Sequence, residues 1–184
     1  GLRASAHLVL PAEASAKPLR LALDRRKPIS GQFQANGEVR PLWDLLIGGE
    51  RSLSGRVSTR GVLSGTLADP KAQGQGAVDG GRFEDAATGL TLQDVVLRAD
   101  FTNAGIDVTE MRGRDPQGGS VQGAGNISLR RDGESSFRLD LKGFRLIDNE
   151  MATASATGQA TINRGADGRV RLAGALNIDR ADIA

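Results

Sequence analysis

The chain has 184 residues, enough for one domain and at most two. It carries 24 basic and 22 acidic side chains, a net +2 with the signs interspersed, and very few aromatic side chains. That balance excludes a nucleic-acid surface, which needs clustered positive charge and stacking rings. The absence of cysteine excludes a disulfide framework or a thiolate metal site.

Core material is thin. Leu, Ile, Val and Phe make up about 24% of the chain, just above the level typical of disorder. There is one Trp, no Tyr and five Phe, against 25 Gly. A two-layer sandwich of this length needs bulkier side chains to fill the space between its sheets. A single curved sheet with one layer of apolar side chains does not. No run of 18 apolar residues offers a membrane-spanning helix, and no signal peptide is visible. The opening "GLRASAHLVL" and the closing "LNIDRADIA" both read as cut from a longer chain.

Alternation of apolar and polar residues, the mark of a half-buried strand, recurs along the chain. "RASAHLVL" and "LRLALD" are short candidates. "ISGQFQANGEV" collects Ile29, Gly31, Phe33, Ala35, Gly37 and Val39 on one face. "RPLWDLLIGGE" then breaks the rhythm. Pro41 suits a helix start, Leu42, Leu45 and Leu46 have helical spacing, and Gly48-Gly49 is a stop. A short amphipathic helix over roughly 41–47 is expected, either as a plug on the sheet or as a lid formed by Leu42, Trp43, Leu45 and Leu46.

"SLSGRVSTRGVLSGTL" is the longest alternating run. Leu53, Gly55, Val57, Thr59, Gly61, Leu63, Gly65 and Leu67 share an uncharged face. Arg56 and Arg60 lie opposite. Further on, "QDVVLRADF" aligns Val95, Leu97, Ala99 and Phe101. "SVQGAGNISL" aligns Val121, Gly123, Gly125, Ile127 and Leu129, and "FRLDLKGF" aligns Phe137, Leu139 and Leu141. "TASATGQATI" and "VRLAGALNI" contribute Ile162, Leu172 and Leu176. Asp132-Gly133 and Asp167-Gly168 suit tight hairpins, and the connections are too short for helical crossovers. An antiparallel meander follows, with unequal strands instead of a fixed repeat.

No catalytic arrangement emerges. His7 is the only histidine and reads as an edge or surface residue, so a transition-metal site is not expected. No Gly-x-Ser-x-Gly elbow is present. "GQGAVDGG" lacks the spacing and the helix of a dinucleotide loop. The acids Glu84-Asp85 and Asp148/Glu150 read as solvated, since strand neighbours point to opposite faces. "NIS" at Asn126 matches a glycosylation sequon inside an expected strand.

What remains is the long dry face with its glycines. It could be the core of a sandwich or barrel. It could also be a sheet folded around an open groove, in which small residues leave width for a lipid tail. Burying such a tail is worth about 0.8 kcal/mol per methylene.

The run from Leu53 to Phe101, with "LSGRVSTRGVLSGTLADP" followed by "GAVDGGRF" and "GLTLQD", resembles the C-terminal region of TamB proteins. "GGSVQGAGNISL" continues that character, and the resemblance is best over about 50–130. TamB proteins are similar to the AsmA-like and bridge-like lipid-transfer proteins. The resemblance implies an all-β class and a β-taco, a long antiparallel sheet curled into a trough that is apolar inside and polar outside. It implies that residues 1–184 are one segment of a longer periplasmic chain anchored in the inner membrane. It implies phospholipid acyl chains as cargo, an Omp85-type outer-membrane partner such as TamA, and outer-membrane proteins as possible clients. It supplies no cofactor and no catalytic residue. The trough would be lined by Phe33, Leu53, Val57, Leu63, Leu67, Val95, Leu97, Phe101, Val121, Ile127, Leu129, Phe137, Leu139, Leu141, Ile162, Leu172 and Leu176.

Overall fold

The computed structural model describes residues 2–9, 12–16, 19–23, 26–46, 48–103, 105–130 and 132–184. Twelve strands and one helix follow in chain order. They are β1 (Leu2–Val9), β2 (Ala12–Ala16), β3 (Leu19–Leu23), β4 (Ser30–Glu38), α1 (Arg40–Leu46), β5 (Arg51–Gly65), β6 (Pro70–Asp85), β7 (Leu90–Phe101), β8 (Gly105–Arg114), β9 (Ser120–Ser128), β10 (Ser135–Asp148), β11 (Ala152–Arg164) and β12 (Val170–Ile183). Ten of these strands form one sheet in the order β1-β4-β5-β6-β7-β8-β9-β10-β11-β12, and β2 pairs with β3 separately. Every pairing is antiparallel. The fold is therefore the expected all-β meander with one short helix, a mostly open sheet of the β-taco type.

Consecutive strands pair because turn residues reverse the chain at once. The β11–β12 turn closes through Gly165 N–H to Arg169 O and Gly168 N–H to Gly165 O, with Asp167 accepting from Arg169 N–H. Asp115 organises the β8–β9 turn. It is 2% exposed, and its carboxylate accepts from the N–H groups of Gln117, Gly119 and Arg145. A buried carboxylate is tolerated when its lone pairs are satisfied in this way.

The strands β2, β6 and β8 were absent from the sequence reading, and bulges explain two of these. The register slips at Asp79-Gly80 in β6, Asp94 in β7, Thr109-Glu110 in β8 and Lys142-Gly143 in β10. Each slip inserts one extra residue and moves the apolar phase from even to odd numbers, or the reverse. In β6 the inward set runs Ala72, Gly74, Gly76, Val78, then Gly81 and Phe83. In β8 it runs Ile106, Val108, then Met111 and Gly113. Gly80 and Gly143 take φ of 57° and 53°, which glycine adopts without strain, and Asp94 takes 53°.

Candidate functional site: one apolar face of the sheet

Register places the apolar residues in rows that cross the sheet. One row runs Gly37, Val57, Val78, Leu97, Met111, Gly123, Leu139, Ala160, Gly174 through nine strands. The next runs Ala35, Thr59, Gly76, Ala99, Val108, Gly125, Phe137, Ile162, Leu172. These rows carry no charge. Opposite them stand Arg56, Ser58, Arg60, Gln75, Asp100, Arg138 and Asp140, all exposed.

A third row runs Phe33, Gly61, Gly74, Phe101, Ile106, Ile127, and glycines in the second and third rows form a floor for aromatic rings. Phe33 of β4 and Phe101 of β7 are separated by Gly61 and Gly74, and their rings meet edge to face with centroids 5.8 Å apart. A Cβ at Gly61 would fall 2.6 Å from the Phe33 ring. Likewise a Cβ at Gly125 would lie 2.8 Å from the Phe137 ring. A side chain at these positions would lift the rings off the backbone. The expectation that glycine leaves empty width is met only in part, because at Gly61 and Gly125 the chain's own phenyl rings occupy that space.

At one end of the strands the face is closed. Val121, Leu141 and Phe144 are 5%, 5% and 3% exposed, with Leu90, Leu92, Met111, Leu139 and Leu146 packed around them. Helix α1 sits at the same end. Trp43 Nε1–H donates to Arg51 O at 3.0 Å, and its ring lies edge-on to Phe83 at 6.3 Å. Leu45 is exposed, and the side chains of Leu42 and Leu46 lie outside the described residues.

Elsewhere the face is open. Phe33, Leu53, Val57, Leu63, Leu67, Val95, Leu97, Phe101 and Phe137 are half-buried, as is Leu139 at the margin of the closed end. Ile127, Leu129, Ile162, Leu172 and Leu176 are exposed. The bulges hid other residues of this face from the sequence reading: Phe83, Leu90, Leu92, Met111, Phe144 and Leu146. Their signal was present as clean alternation on either side of Asp-Gly, Asp94 and Lys-Gly, but with a phase change between.

The polar face has its own relief. A hollow of about 1010 Å³ is walled by His7, Gln32, Gln34, Arg60, Gln73 and Gln75. His7 is exposed there on edge strand β1. The acids singled out by sequence serve structural contacts. Asp85 accepts from Ala87 N–H and Thr88 Oγ1–H, Glu84 pairs with Arg82, and Asp148 pairs with Arg145. Asn126 Oδ1 accepts from Ser136 N–H in the strand pairing. Among the described residues no three His, Cys, Asp or Glu side chains gather to hold a metal, and no helix is long and apolar enough to cross a membrane.

The model of the TamB C-terminal domain family matches residues 109–184, from β8 to the last residue. That match covers less than half of the chain, and it lies C-terminal to most of the run that suggested the resemblance. The two overlap at Gly118–Leu129. No curated protein and no solved structure matches the chain.

Proposed function

We propose that this chain, whose residues 109–184 match the TamB C-terminal domain family, is a non-catalytic conduit segment that shields phospholipid acyl chains on its apolar face. The observation that carries this reading is the set of uncharged rows crossing nine strands, half-buried or exposed at nearly every position. A soluble domain rarely exposes so continuous an apolar surface unless something covers it. In a TamB-type protein that surface would lie in the periplasm between two membranes and serve outer-membrane biogenesis. The lipid-lining residues are those of the rows, from Phe33 and Val57 on one side to Ile162 and Leu172 on the other. An Omp85-type partner such as TamA would engage the full-length protein.

A photo-crosslinking residue at Leu63, compared with one at Ser64, in the full-length protein in cells tests this. Phospholipid captured from Leu63 and not from Ser64 is the expected result. Capture of neither lipid nor another protein at Leu63 would mean a face packed into the chain's own core, and the conduit reading would fail.

A second reading rests on β12. All fourteen of its residues are exposed and it has a partner on one side only. Such an edge can accept another strand, so assistance to outer-membrane β-barrel proteins by strand addition is the alternative. Crosslinks from β12 to unfolded outer-membrane proteins would support it.

A further inference from the structure

Strands β7 and β10 are not neighbours, because β8 and β9 lie between them. They touch because the β8–β9 hairpin is short. It ends at Arg114 and Ser120, which pair with Gln93 and Lys142. Leu90–Leu92 of β7 and Gly143–Asp148 of β10 therefore run on beyond it. These overhangs bend together over the hairpin end and bury Leu90 and Leu92 against Leu141 and Phe144. Asp115 Oδ2 holds the hairpin to the β10 overhang through Arg145 N–H at 2.7 Å.

Two bonds then join the overhangs at their tips. Asp148 N–H donates to Thr88 O at 2.8 Å, and Asn149 Nδ2–H donates to Ala87 O at 3.1 Å. Gly89 permits the approach, since a Cβ there would collide with the Asp148 carbonyl. The junction is thus a small, solvent-edged contact between two turns, one of them held by a single side-chain amide. Such tip contacts open more readily than the sheet ladders beside them, while the Leu141–Phe144 core beneath stays packed.

We propose that this junction is a clasp that sets the width of the apolar face between β6 and β11 and opens when an acyl chain passes. Closed, it packs on Met111 and Leu139 and leaves them half-buried, while the row at Phe101, Ile106 and Ile127 lies clear of it. The proposal rests on the conduit reading and adds its regulation. It is held by the two tip hydrogen bonds, the Asp115 carboxylate on Arg145 N–H, the Arg145–Asp148 ion pair at 3.6 Å and the packing of Leu90 and Leu92 on Leu141 and Phe144.

The test uses full-length protein in cells with a photo-crosslinking residue at Val57 or at Leu172, on either side of the clasp. The Thr88→Cys/Asp148→Cys pair locks it, since their backbones are already hydrogen-bonded and this chain has no cysteine of its own. Asn149→Asp loosens it. That variant keeps the Oδ1 that accepts from Met151 and Ala152 N–H, loses the donor to Ala87 and sets a carboxylate oxygen against that carbonyl.

Locking should lower lipid capture at one flank by about fivefold or more relative to the same protein under reductant, the range of a modest coupling free energy. Asn149→Asp should raise capture at that flank. Unchanged capture at both flanks with the disulfide formed, or with Asn149→Asp if it does not form, overturns the clasp and leaves the conduit standing. No lipid at either flank in the unlocked protein overturns the conduit, and the clasp with it.

Discussion

The clasped end of the sheet and its β11–β12 side share one alternation but have opposite fates. Leu141 and Phe144 are 5% and 3% exposed, while Leu172 and Ile178 are 72% and 58% exposed. All four belong to the same uncharged face. The difference is a second layer. At the clasp, the overhang of β7 lies over that of β10 and supplies packing atoms. Over β12 no described residue does. An apolar row is therefore a core where the sheet bends back on itself and an unsatisfied surface where it does not. Stability is expected to concentrate at the first and ligand contact at the second.

The largest expected effect lies at the clasped end. Phe144→Ala removes a nearly fully buried ring and should cost about 3–5 kcal/mol in urea unfolding. For a domain of ordinary marginal stability that is a large share of the total. A midpoint shift no larger than that of a surface variant would mean that the overhangs do not form a core.

Asp115→Ala should come next, at about 2–3 kcal/mol. It strips a charged acceptor from three N–H groups, two in the turn and one in the β10 overhang. The loss should also speed amide hydrogen exchange at Arg145, which a merely local turn defect would leave untouched.

Gly61→Ala tests the aromatic floor in the open half. The new methyl meets Phe33 at 2.6 Å and the Gln73 carbonyl at 2.4 Å, so about 1–3 kcal/mol should be lost. Adding Phe33→Leu should recover part of that loss in a double-mutant cycle, because the carbonyl stays in place. Full additivity would show that ring and glycine are not packed together.

The smallest effect on stability is expected at the exposed side. Leu172→Asp should change unfolding by less than about 0.5 kcal/mol, as surface substitutions do. It should nevertheless reduce lipid capture at neighbouring Ile162, since a carboxylate on the path must be desolvated. This inverts the order found at Phe144. A stability loss matching that of a core variant would show that β12 is already covered.

Alternation alone made much of this legible. The strands β1, β3, β4, β5, β7, β9, β10, β11 and β12 all carry period-2 runs, and α1 carries Pro41, its leucine spacing and a Gly-Gly stop. Short turns around Asp-Gly and Asp-Pro forced an antiparallel meander. Scarce bulk and plentiful glycine argued against a filled two-layer core. The run Leu53–Phe101, continued in character by Gly118–Leu129, pointed to the family that the match over residues 109–184 also indicates.

The bent end was not legible. A bulge adds one residue without a fixed residue type, so Leu90 and Leu92 fall out of phase with Val95 and Leu97, and Leu141 with Phe144. The role of the glycines escaped as well, because Phe33 reaches Phe101 across two intervening strands, a contact 68 positions apart in sequence. Local periodicity decided which side of each strand is dry, because side chains alternate whatever their surroundings. Only the tertiary structure decided where that dry side is buried, because burial depends on which strand ends outrun their neighbours and fold over them.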